Sequence, residues 1–174
     1  MTITLERCNM NQKATIYNLI QMYECEWSQY NHVDVEENGF YDYELDDEFF
    51  DIDNKECASF LVKVEGKIAG FVLITVGEEE DPKKPDWAID EFFILPKYRR
   101  SGIGKHVFFD VLNRYKGIWV LWSHPKNETA VKFWDKSIDE YTKGNYEHIK
   151  DHKAFIYEDG SLGTVFYFNN KNED

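Results

Sequence analysis

The chain is short of basic residues and has no long apolar segment, and each shortage excludes a class of protein. Lys and Arg number 20 against 33 Asp and Glu, which gives a formal net charge of −13 at neutral pH. A general nucleic-acid binder is excluded, because phosphate contacts need clustered Lys and Arg. The same charge favours cationic partners through long-range attraction. Since no apolar run approaches the roughly 20 residues of a membrane-spanning helix, we also expect no membrane partner.

Cysteine is scarce as well. Cys8, Cys25 and Cys57 are scattered, odd in number and without the spacing of a metal site or a disulfide framework. We expect free thiols in a reducing compartment. His148 and His152 lie in strand-like sequence, where a separation of four residues gives no common metal-binding face, so no metal site is expected. The first residues lack the basic and then apolar regions of a secretion signal, and cytoplasmic location is the expectation.

Aromatic residues are abundant, with 5 Trp, 11 Tyr and 13 Phe among 174 residues. This length predicts one domain, covering residues 1–174, with a single aromatic-rich core. No internal repeat or linker divides the chain. The apolar periodicity predicts a mixed α/β domain on a mostly antiparallel sheet. The predicted elements are a strand at Ile3–Glu6, a helix capped by Asn11 and reaching about Ser28, a hairpin of Ala58–Val64 and Ile68–Val76, a strand at Trp87–Leu95, a helix at Lys105–Tyr115, a strand at Ile118–Trp122, a helix at Lys126–Ser137, strands at Tyr141–Lys150, Lys153–Tyr157 and Thr164–Phe168, and a fraying polar tail at Asn169–Asp174.

The segment Asp34–Asp53 has an unusual composition, with ten acidic residues, interleaved Phe and Tyr, and no Lys or Arg. A purely disordered acidic segment is poor in aromatic residues, so this one is expected to pack at least in part. Two interpretations are open. The segment is either a wall of a cleft that attracts a cationic amine or a solvated loop and short helix whose aromatic side chains attach it to the core.

The chain is organised around the strand Trp87–Leu95, the turn Pro96–Tyr98 and the glycine-containing helix start Arg99–Gly104. The first backbone N–H groups of a helix have no partner within it, and the helix dipole adds positive charge there. Glycines allow an anion to approach this backbone closely, and the arginines can bind phosphate oxygens. We interpret the turn as a phosphate or pyrophosphate site. The alternative is an ordinary strand-to-helix turn with two surface arginines.

Two motifs resemble those of the GNAT N-acetyltransferase superfamily. Arg99–Gly104 reads Arg-x-x-Gly-x-Gly after a strand and at the start of a helix, like the acetyl-CoA motif of that family. Asn127–Lys136 is similar to its Asn-x-x-Ala-x-x-Phe-Tyr-x-Lys helix. The resemblance covers about Trp87–Ser137. It implies a GNAT-like fold, in which two parallel central strands splay apart, and acetyl-CoA as cosubstrate.

The resemblance also implies which residues contact the cosubstrate. Backbone amides from Arg100 to Lys105 would hold the pyrophosphate, and the strand end at Phe93–Leu95 would pair with the pantetheine and supply N–H donors for the oxyanion. Asn127 would contact the pantetheine arm and Phe133 would line its slot. Trp134 stands where many members carry a Tyr that acts as general acid, and an indole N–H is no acid at neutral pH. The full implied set is Phe93, Ile94, Leu95, Arg99, Arg100, Ser101, Gly102, Ile103, Gly104, Lys105, Asn127, Phe133 and Trp134.

Acetyl transfer to an amine also needs a base, because an alkylammonium has no lone pair. Glu91 is the leading candidate, since a partly desolvated Glu can have a raised pKa. Asp90 points to the opposite face of a regular strand, and a bulge would exchange the two. The alternative is that either carboxylate pairs with a surface cation or caps a neighbouring group. His124 is either a second candidate acting through water or an exposed loop histidine. Ser123, Tyr141 or water would protonate the departing thiolate, or the thiolate leaves unassisted.

The sequence thus predicts an acetyl-CoA-dependent N-acetyltransferase that acts on a primary amine, with a small cationic molecule as the expected acceptor. The alternative is a non-catalytic acyl-CoA-binding or regulatory module of the same fold, suggested by Trp134. Family members often form dimers, so a homodimer is an expectation of the resemblance. The acceptor itself is not specified by these residues.

Overall fold

A computed structural model describes residues 1–171 of the chain. Within this range it contains seven strands, three α-helices and three short 3₁₀ helices. None of these helices is both long enough and apolar enough to cross a membrane. The 3₁₀ helices are Met10–Gln12, Asp47–Phe50 and Pro96–Tyr98, and the main elements are β1 (Ile3–Arg7), α1 (Lys13–Asn31), β2 (Cys57–Val64), β3 (Lys67–Thr75), β4 (Trp87–Ile94), α2 (Ile103–Arg114), β5 (Ile118–Ser123), α3 (Glu128–Thr142), β6 (Tyr146–Ile156) and β7 (Leu162–Asn169).

The strands form one sheet in the order β1-β2-β3-β4-β5-β7-β6. The pairs β1–β2, β2–β3, β5–β7 and β6–β7 are antiparallel, and β4 pairs with β5 in parallel. The predicted mixed α/β class with a mostly antiparallel sheet is therefore confirmed. The parallel register joins Trp87 to Trp119 and Ala88 to Val120, at the start of β4. The splay that the resemblance implies beyond these pairs stays a prediction.

The chain forms two compact units, and neither is a continuous half of the sequence. The first unit consists of Met1–Thr75 and Asp90–Asp110, and the second consists of Val76–Ile89 and the chain from Val111 onward. The division falls inside β4 and inside α2. The single domain predicted from the length stays a prediction.

In the first unit, the predicted apolar stripe of α1 packs on the sheet. Ile16, Leu19 and Ile20 are buried and recur at the spacing of one helix face. Phe71 and Leu73 of β3 lie against them. Burial of each such apolar side chain contributes about 1.5 to 3 kcal/mol to the stability of the fold. The other buried members of this cluster are Cys8, Leu45, Phe50, Leu61 and Phe93.

In the second unit, the core forms on β5 and β7. Trp119 is fully buried and stacks on Phe168, with 6.4 Å between the ring centroids. Val120 and Val165 belong to a buried cluster on the same pair of strands. The uninterrupted apolar run of β5 therefore corresponds to burial on both faces.

Two predicted boundaries near the chain ends are wrong. Asn9, not Asn11, is the N-terminal cap: its side chain accepts from the Asn11 N–H, and a capping box with Gln12 starts a 3₁₀ turn before α1. At the other end, Asn170 does not fray. It is buried, donates to the Leu112 carbonyl and accepts from the Gly117 N–H. The predicted tail residues 172–174 lie outside the described part of the chain.

The third helix extends further than the sequence pattern predicts. Tyr141 belongs to α3 and not to a strand, because the helix stops only where Lys143 adopts a left-handed conformation and the Gly144 N–H closes onto the Asp139 carbonyl. The predicted strands Tyr141–Lys150 and Lys153–Tyr157 correspond to one strand, β6, which has two register shifts against β7. Gly144 was the stop signal that the periodicity did not reveal.

The acidic segment 34–53 packs on the first unit through alternate residues. Tyr41, Tyr43 and Leu45 are partly or fully buried, whereas the acidic residues between them are exposed. Arg7 ties the end of this segment to the sheet. Its guanidinium donates to the Phe49 carbonyl at 2.6 Å, to the Asp51 carbonyl at 2.7 Å and to the Ser59 carbonyl at 3.1 Å. The expectation that aromatic side chains attach the segment to the core is confirmed.

We predict that Arg7→Met lowers the free energy of unfolding by about 1.5 to 3 kcal/mol, because the charge-assisted hydrogen bonds that join this segment to the sheet are lost. Urea denaturation measures the change. Arg7→Lys should recover only part of it, since one ammonium does not reach all three carbonyls. Lys55→Met, which removes an exposed charge from the same region, should change stability by less than about 0.5 kcal/mol. Equal changes in the free energy of unfolding for Arg7→Met and Lys55→Met would contradict a stabilising role of the Arg7 hydrogen bonds.

Candidate active site

Glu91 lies on β4, and two tyrosines from other parts of the first unit interact with its carboxyl group. Tyr23 comes from α1 and Tyr43 from the acidic segment. Tyr23 is positioned by ring contacts to Phe71 and Phe93, with centroids 6.2 and 5.9 Å away. The alternation of β4 places Glu91 and Phe93 on one face of the strand, so α1 covers both.

The surroundings of Glu91 oppose its ionisation. Desolvation raises the pKa of Glu91 well above its usual range, and the negative charges of Asp90 and Glu24 raise it further. Hydrogen bonds from Tyr23 and Tyr43 act in the opposite direction. The side chain keeps some exposed surface, but the protein around it removes most of the water that would stabilise a carboxylate. A proton acceptor of this kind is suited to general base chemistry near neutral pH.

Further acidic groups surround the two tyrosines. Glu24 is 9% exposed and acts electrostatically on Tyr23 and Tyr43. Burial, and then the charge of Glu91, raise the pKa of each tyrosine, so both hydroxyls stay protonated donors. Asp90 has exposed surface, yet desolvation raises the pKa of its carboxyl. The site is therefore a local concentration of acidic groups, and the charge on each one opposes the ionisation of its neighbours.

Sequence reasoning did not assign Tyr23, Glu24 or Tyr43 to the site. The only available signals were the position of Tyr23 on the apolar stripe of α1 and the aromatic residues within the acidic segment. Neither signal indicates that the three residues converge on Glu91, because that depends on packing between distant parts of the chain.

The predicted phosphate turn has, at Gly102, a backbone conformation that favours glycine. Gly102 has φ +82°, and a Cβ added there would meet no atom within 4 Å. Arg100, also with positive φ, is exposed. The carbonyl of Gly102 accepts the His106 N–H at 3.0 Å as α2 begins. The surface over Gly102 is thus open, as an approaching anion would need.

Arg99 has a different environment from Arg100. Its two terminal nitrogens contact both carboxylate oxygens of Glu26, at 2.9 and 3.0 Å. Its Nε donates to the Ile94 carbonyl at 2.6 Å, and the guanidinium lies 5.3 Å from the centre of the Phe93 ring. Arg99 is thus bound to α1 and to the end of β4.

The end of β4 has one amide that is already used. The Leu95 N–H donates to the Ala69 carbonyl at 2.8 Å, so the expectation that it donates to an oxyanion is wrong. The backbones are close at this point, because a Cβ on Gly70 would lie 2.0 Å from the Phe93 carbonyl oxygen. Cosubstrate contacts of Phe93, Ile94 and Leu95 through their other groups stay predictions.

In the second unit, His124 is buried with 1% exposure, so the expectation of an exposed loop histidine is wrong. Its Nδ1 accepts from the Lys126 N–H at 3.2 Å, and its Nε2 lies 3.4 Å from Asp159. Ser123 beside it is also buried. These contacts hold the loop after β5 in place. The catalytic roles predicted for Ser123 and His124 are not tested by this geometry.

The second motif forms the start of α3. The Asn127 side-chain oxygen caps the helix by accepting from the Ala130 N–H at 3.1 Å. Trp134 is buried, and its ring lies 4.8 Å from that of the half-buried Phe133. Tyr141, a predicted proton source, donates to Asn113 at 3.0 Å. Contacts of Asn127, Phe133 and Trp134 with a cosubstrate stay predictions.

The described residues 1–171 contain no group of three His, Cys, Asp or Glu side chains placed to hold a metal ion. In the same range, Cys8 and Cys57 are buried free thiols and Cys25 is an exposed one. Burial raises the pKa of Cys8 to about 11, so this thiol is a poor nucleophile.

Comparison with known proteins identifies the family. The Acetyltransferase (GNAT) family matches residues 17–138, which is more than half of the chain. The chain belongs to the GNAT acetyltransferase family. The resemblance predicted from Arg99–Gly104 and Asn127–Lys136 is therefore confirmed, and acetyl-CoA is the cosubstrate expected of a member. No curated protein matches the chain in sequence.

Solved structures of GNAT proteins resemble the whole chain at low sequence identity. An acetyltransferase from Thermus thermophilus has a TM-score of 0.64 and 13% identity, with 98% of each chain covered. The diaminobutyrate acetyltransferase of Paenibacillus lautus, solved with L-2,4-diaminobutyric acid and coenzyme A, has a TM-score of 0.62 and 16% identity, covering 99% of this chain and 98% of that one. The ribosomal-protein-S18-alanine N-acetyltransferase of Escherichia coli has a TM-score of 0.56 and 13% identity, with the same coverage. These similarities show the fold.

The raised pKa of Glu91 predicts a pH-dependent difference between the GNAT protein and its Glu91→Gln variant. A carboxyl whose folded pKa exceeds its unfolded value of about 4.3 binds more protons when folded. Wild-type stability should therefore fall relative to the variant as pH rises above about 4.3, and the fall should end above the folded pKa. Urea denaturation from about pH 4 to 8 measures this difference.

The control is Glu128→Gln. Lys132 lowers the pKa of the exposed Glu128, so wild type should gain on this variant as pH rises towards about 4.3, and the two stability curves should be parallel from about pH 5 to 8. Parallel pH curves for wild type and Glu91→Gln would contradict the proposed environment of Glu91.

Proposed function

We propose that this protein transfers the acetyl group of acetyl-CoA to a primary amine of a small cationic acceptor, with Glu91 as general base. The single observation that carries this proposal is the desolvated Glu91 carboxylate among Tyr23, Tyr43 and further acidic groups. Acetyl-CoA supplies an activated thioester acyl group when bound. Every other requirement falls on residues of the chain.

The turn before α2 fits the binding of a diphosphate. Its open surface over Gly102 and the partial positive charge at the start of a helix suit an anion. The residues that would hold the diphosphate are the amides from Arg100 to Lys105 and the exposed Arg100 side chain, which can bind phosphate oxygens in a bidentate manner.

The acidic surroundings of Glu91 suit a cationic acceptor. An ammonium ion is attracted to the negative charge of Glu24, Asp90 and Glu91, and its presence favours ionisation of the carboxyl groups. The Glu91 carboxylate then takes the proton from the ammonium nitrogen, which frees the lone pair for attack. The Tyr23 and Tyr43 hydroxyls hold Glu91 in place during this transfer.

The related structures act on different amines, so the fold does not select the acceptor. One relative was solved with a small diamine carrying a carboxylate, and another is named for the alanine of a ribosomal protein. We favour the small cationic class for this chain because Glu24 and Glu91 bring acidic groups together in a desolvated site.

A second candidate function, binding of acyl-CoA without efficient transfer, is favoured by one observation. Trp134 is buried at the position where many family members place a tyrosine as general acid, and its indole N–H does not supply a proton at neutral pH. For the transferase, the leaving thiolate would then be protonated by water or by another group of the chain.

The first test addresses cosubstrate binding. Gly102→Ala places a methyl group over the turn, so we expect acetyl-CoA affinity measured by calorimetry to fall by about tenfold or more, equivalent to about 1.4 kcal/mol. Gly66→Ala is the matched control, since Gly66 has a similar positive φ of +73° and open space around its Cβ position. Both variants should lose similar stability. Unchanged affinity in Gly102→Ala would contradict the diphosphate site.

The second test addresses catalysis. Wild-type protein incubated with acetyl-CoA and a panel of amines, diamines and basic peptides should release free thiol, most rapidly with small cationic amines. Glu91→Gln should lower kcat/KM at neutral pH by about 10² to 10⁴-fold, because the general base is removed. Tight acetyl-CoA binding without thiol release on any amine would support the non-catalytic candidate, and full activity of Glu91→Gln would exclude Glu91 as the base.

A further inference from the structure

Arg99 uses its donors within the protein. Both terminal nitrogens contact Glu26 on α1, and Nε donates to the Ile94 carbonyl at the end of β4. A bidentate Arg–carboxylate pair is among the stronger hydrogen-bonded arrangements in proteins. These contacts use three of the five guanidinium N–H groups and fix the side chain against α1 and the end of β4. The neighbouring Arg100 is exposed and has a left-handed backbone conformation.

A continuous series of contacts runs from Arg99 to the candidate base. The guanidinium lies over the ring of Phe93 at 5.3 Å, and that ring meets the edge of Tyr23 at 5.9 Å. Phe93 shares a face of β4 with Glu91, and Tyr23 interacts with the carboxyl group of Glu91. Tyr23 and Glu26 are three residues apart and therefore lie on neighbouring positions of the same face of α1. The Glu26–Arg99 pair thus holds the part of α1 that carries Tyr23.

We propose that Arg99 is a positioning residue for the acceptor side of the site, which keeps Tyr23 beside Glu91, and that the diphosphate is bound by Arg100 and the turn amides without Arg99. The catalytic consequence rests on the proposed function, because it requires that Glu91 is the base. This role differs from the one that the family resemblance implies for the first arginine of the motif.

The ionisable groups that face Glu91 come from three elements. Tyr23 and Glu24 lie on α1, Tyr43 lies on the acidic segment with Asp46 nearby, and Asp90 precedes Glu91 on β4. Among these groups, the Tyr23 and Tyr43 hydrogen bonds favour the charged form of Glu91 and the carboxylates disfavour it. If Tyr23 moves away, the remaining groups shift the ionisation of Glu91 to higher pH.

The test uses Arg99→Met, Glu26→Gln and Arg100→Met in the full chain. Three quantities are measured for each variant. They are the affinity for coenzyme A by calorimetry, the titration of Glu91 by carboxyl ¹³C NMR, with Glu91→Gln to assign the signal, and the pH profile of kcat/KM with the best amine. The NMR titration does not depend on turnover.

For Arg99→Met and Glu26→Gln, we expect the midpoint of the Glu91 titration to rise by about half a pH unit, which is about threefold in the ionisation constant. The acidic limb of the kcat/KM profile should move to higher pH by the same amount. Coenzyme A affinity should stay within about twofold of wild type. Arg100→Met should give the opposite pattern, with affinity weakened by about tenfold and the Glu91 titration unchanged. Arg99→Lys should not restore wild-type behaviour, because an ammonium cannot bridge Ile94 and Glu26 as the guanidinium does.

Glu26→Gln separates the two roles of Arg99 most clearly. If Arg99 were a diphosphate ligand, removing the competing carboxylate would tighten coenzyme A binding and Arg99→Met would weaken it about tenfold, with the Glu91 titration unmoved. That result would overturn the proposal. If no amine is acetylated by wild type, the proposed function fails, whereas the NMR titration and the coenzyme A affinities still decide whether Arg99 positions Tyr23.

Discussion

The arrangement of the candidate site depends on one balance at the Glu91 carboxyl group, between the removal of water and the hydrogen bonds that replace it. Loss of water and nearby acidic groups favour the neutral form, and Tyr23 and Tyr43 favour the charged one. The groups in this balance come from α1, the acidic segment and β4, so these three parts of the chain must be held close to one another. The packing of the first unit on β3 is therefore a condition for the chemistry as well as for stability.

Two arginines have the same structural role in this acid-rich chain. Arg7 joins the end of the acidic segment to β2 through backbone carbonyls, and Arg99 joins α1 to the end of β4. In both cases a single planar guanidinium satisfies several acceptors at once, which an ammonium does not do. Arg99 and Arg100 are both exposed, but Arg100 lies beside the open turn at Gly102. Two adjacent arginines with the same charge thus have different environments.

The predictions from sequence were most successful where a feature depends on consecutive residues. The buried face of α2, the hairpin and the central strand were all recognisable from periodicity, and both GNAT motifs are contiguous. They were wrong where competing local signals decided a boundary. Tyr141 belongs to α3 because no stop signal precedes Lys143 and Gly144, and Asn9 rather than Asn11 is the cap because a capping box with Gln12 forms a 3₁₀ turn before α1. His124 was expected in a loop and is buried there, which no local pattern indicates.

By itself the sequence determined the family, the mixed α/β class and the position of a glycine-containing turn at the start of a helix, because each of these follows from residues close together in the chain. Only the tertiary structure decided which groups surround Glu91 and what Arg99 binds. Arg99 and Glu26 are separated by 73 residues, and Tyr23 reaches Glu91 across a similar length of chain. Such contacts depend on how α1 packs against β3 and β4, and the residue types at these positions are compatible with many other partners.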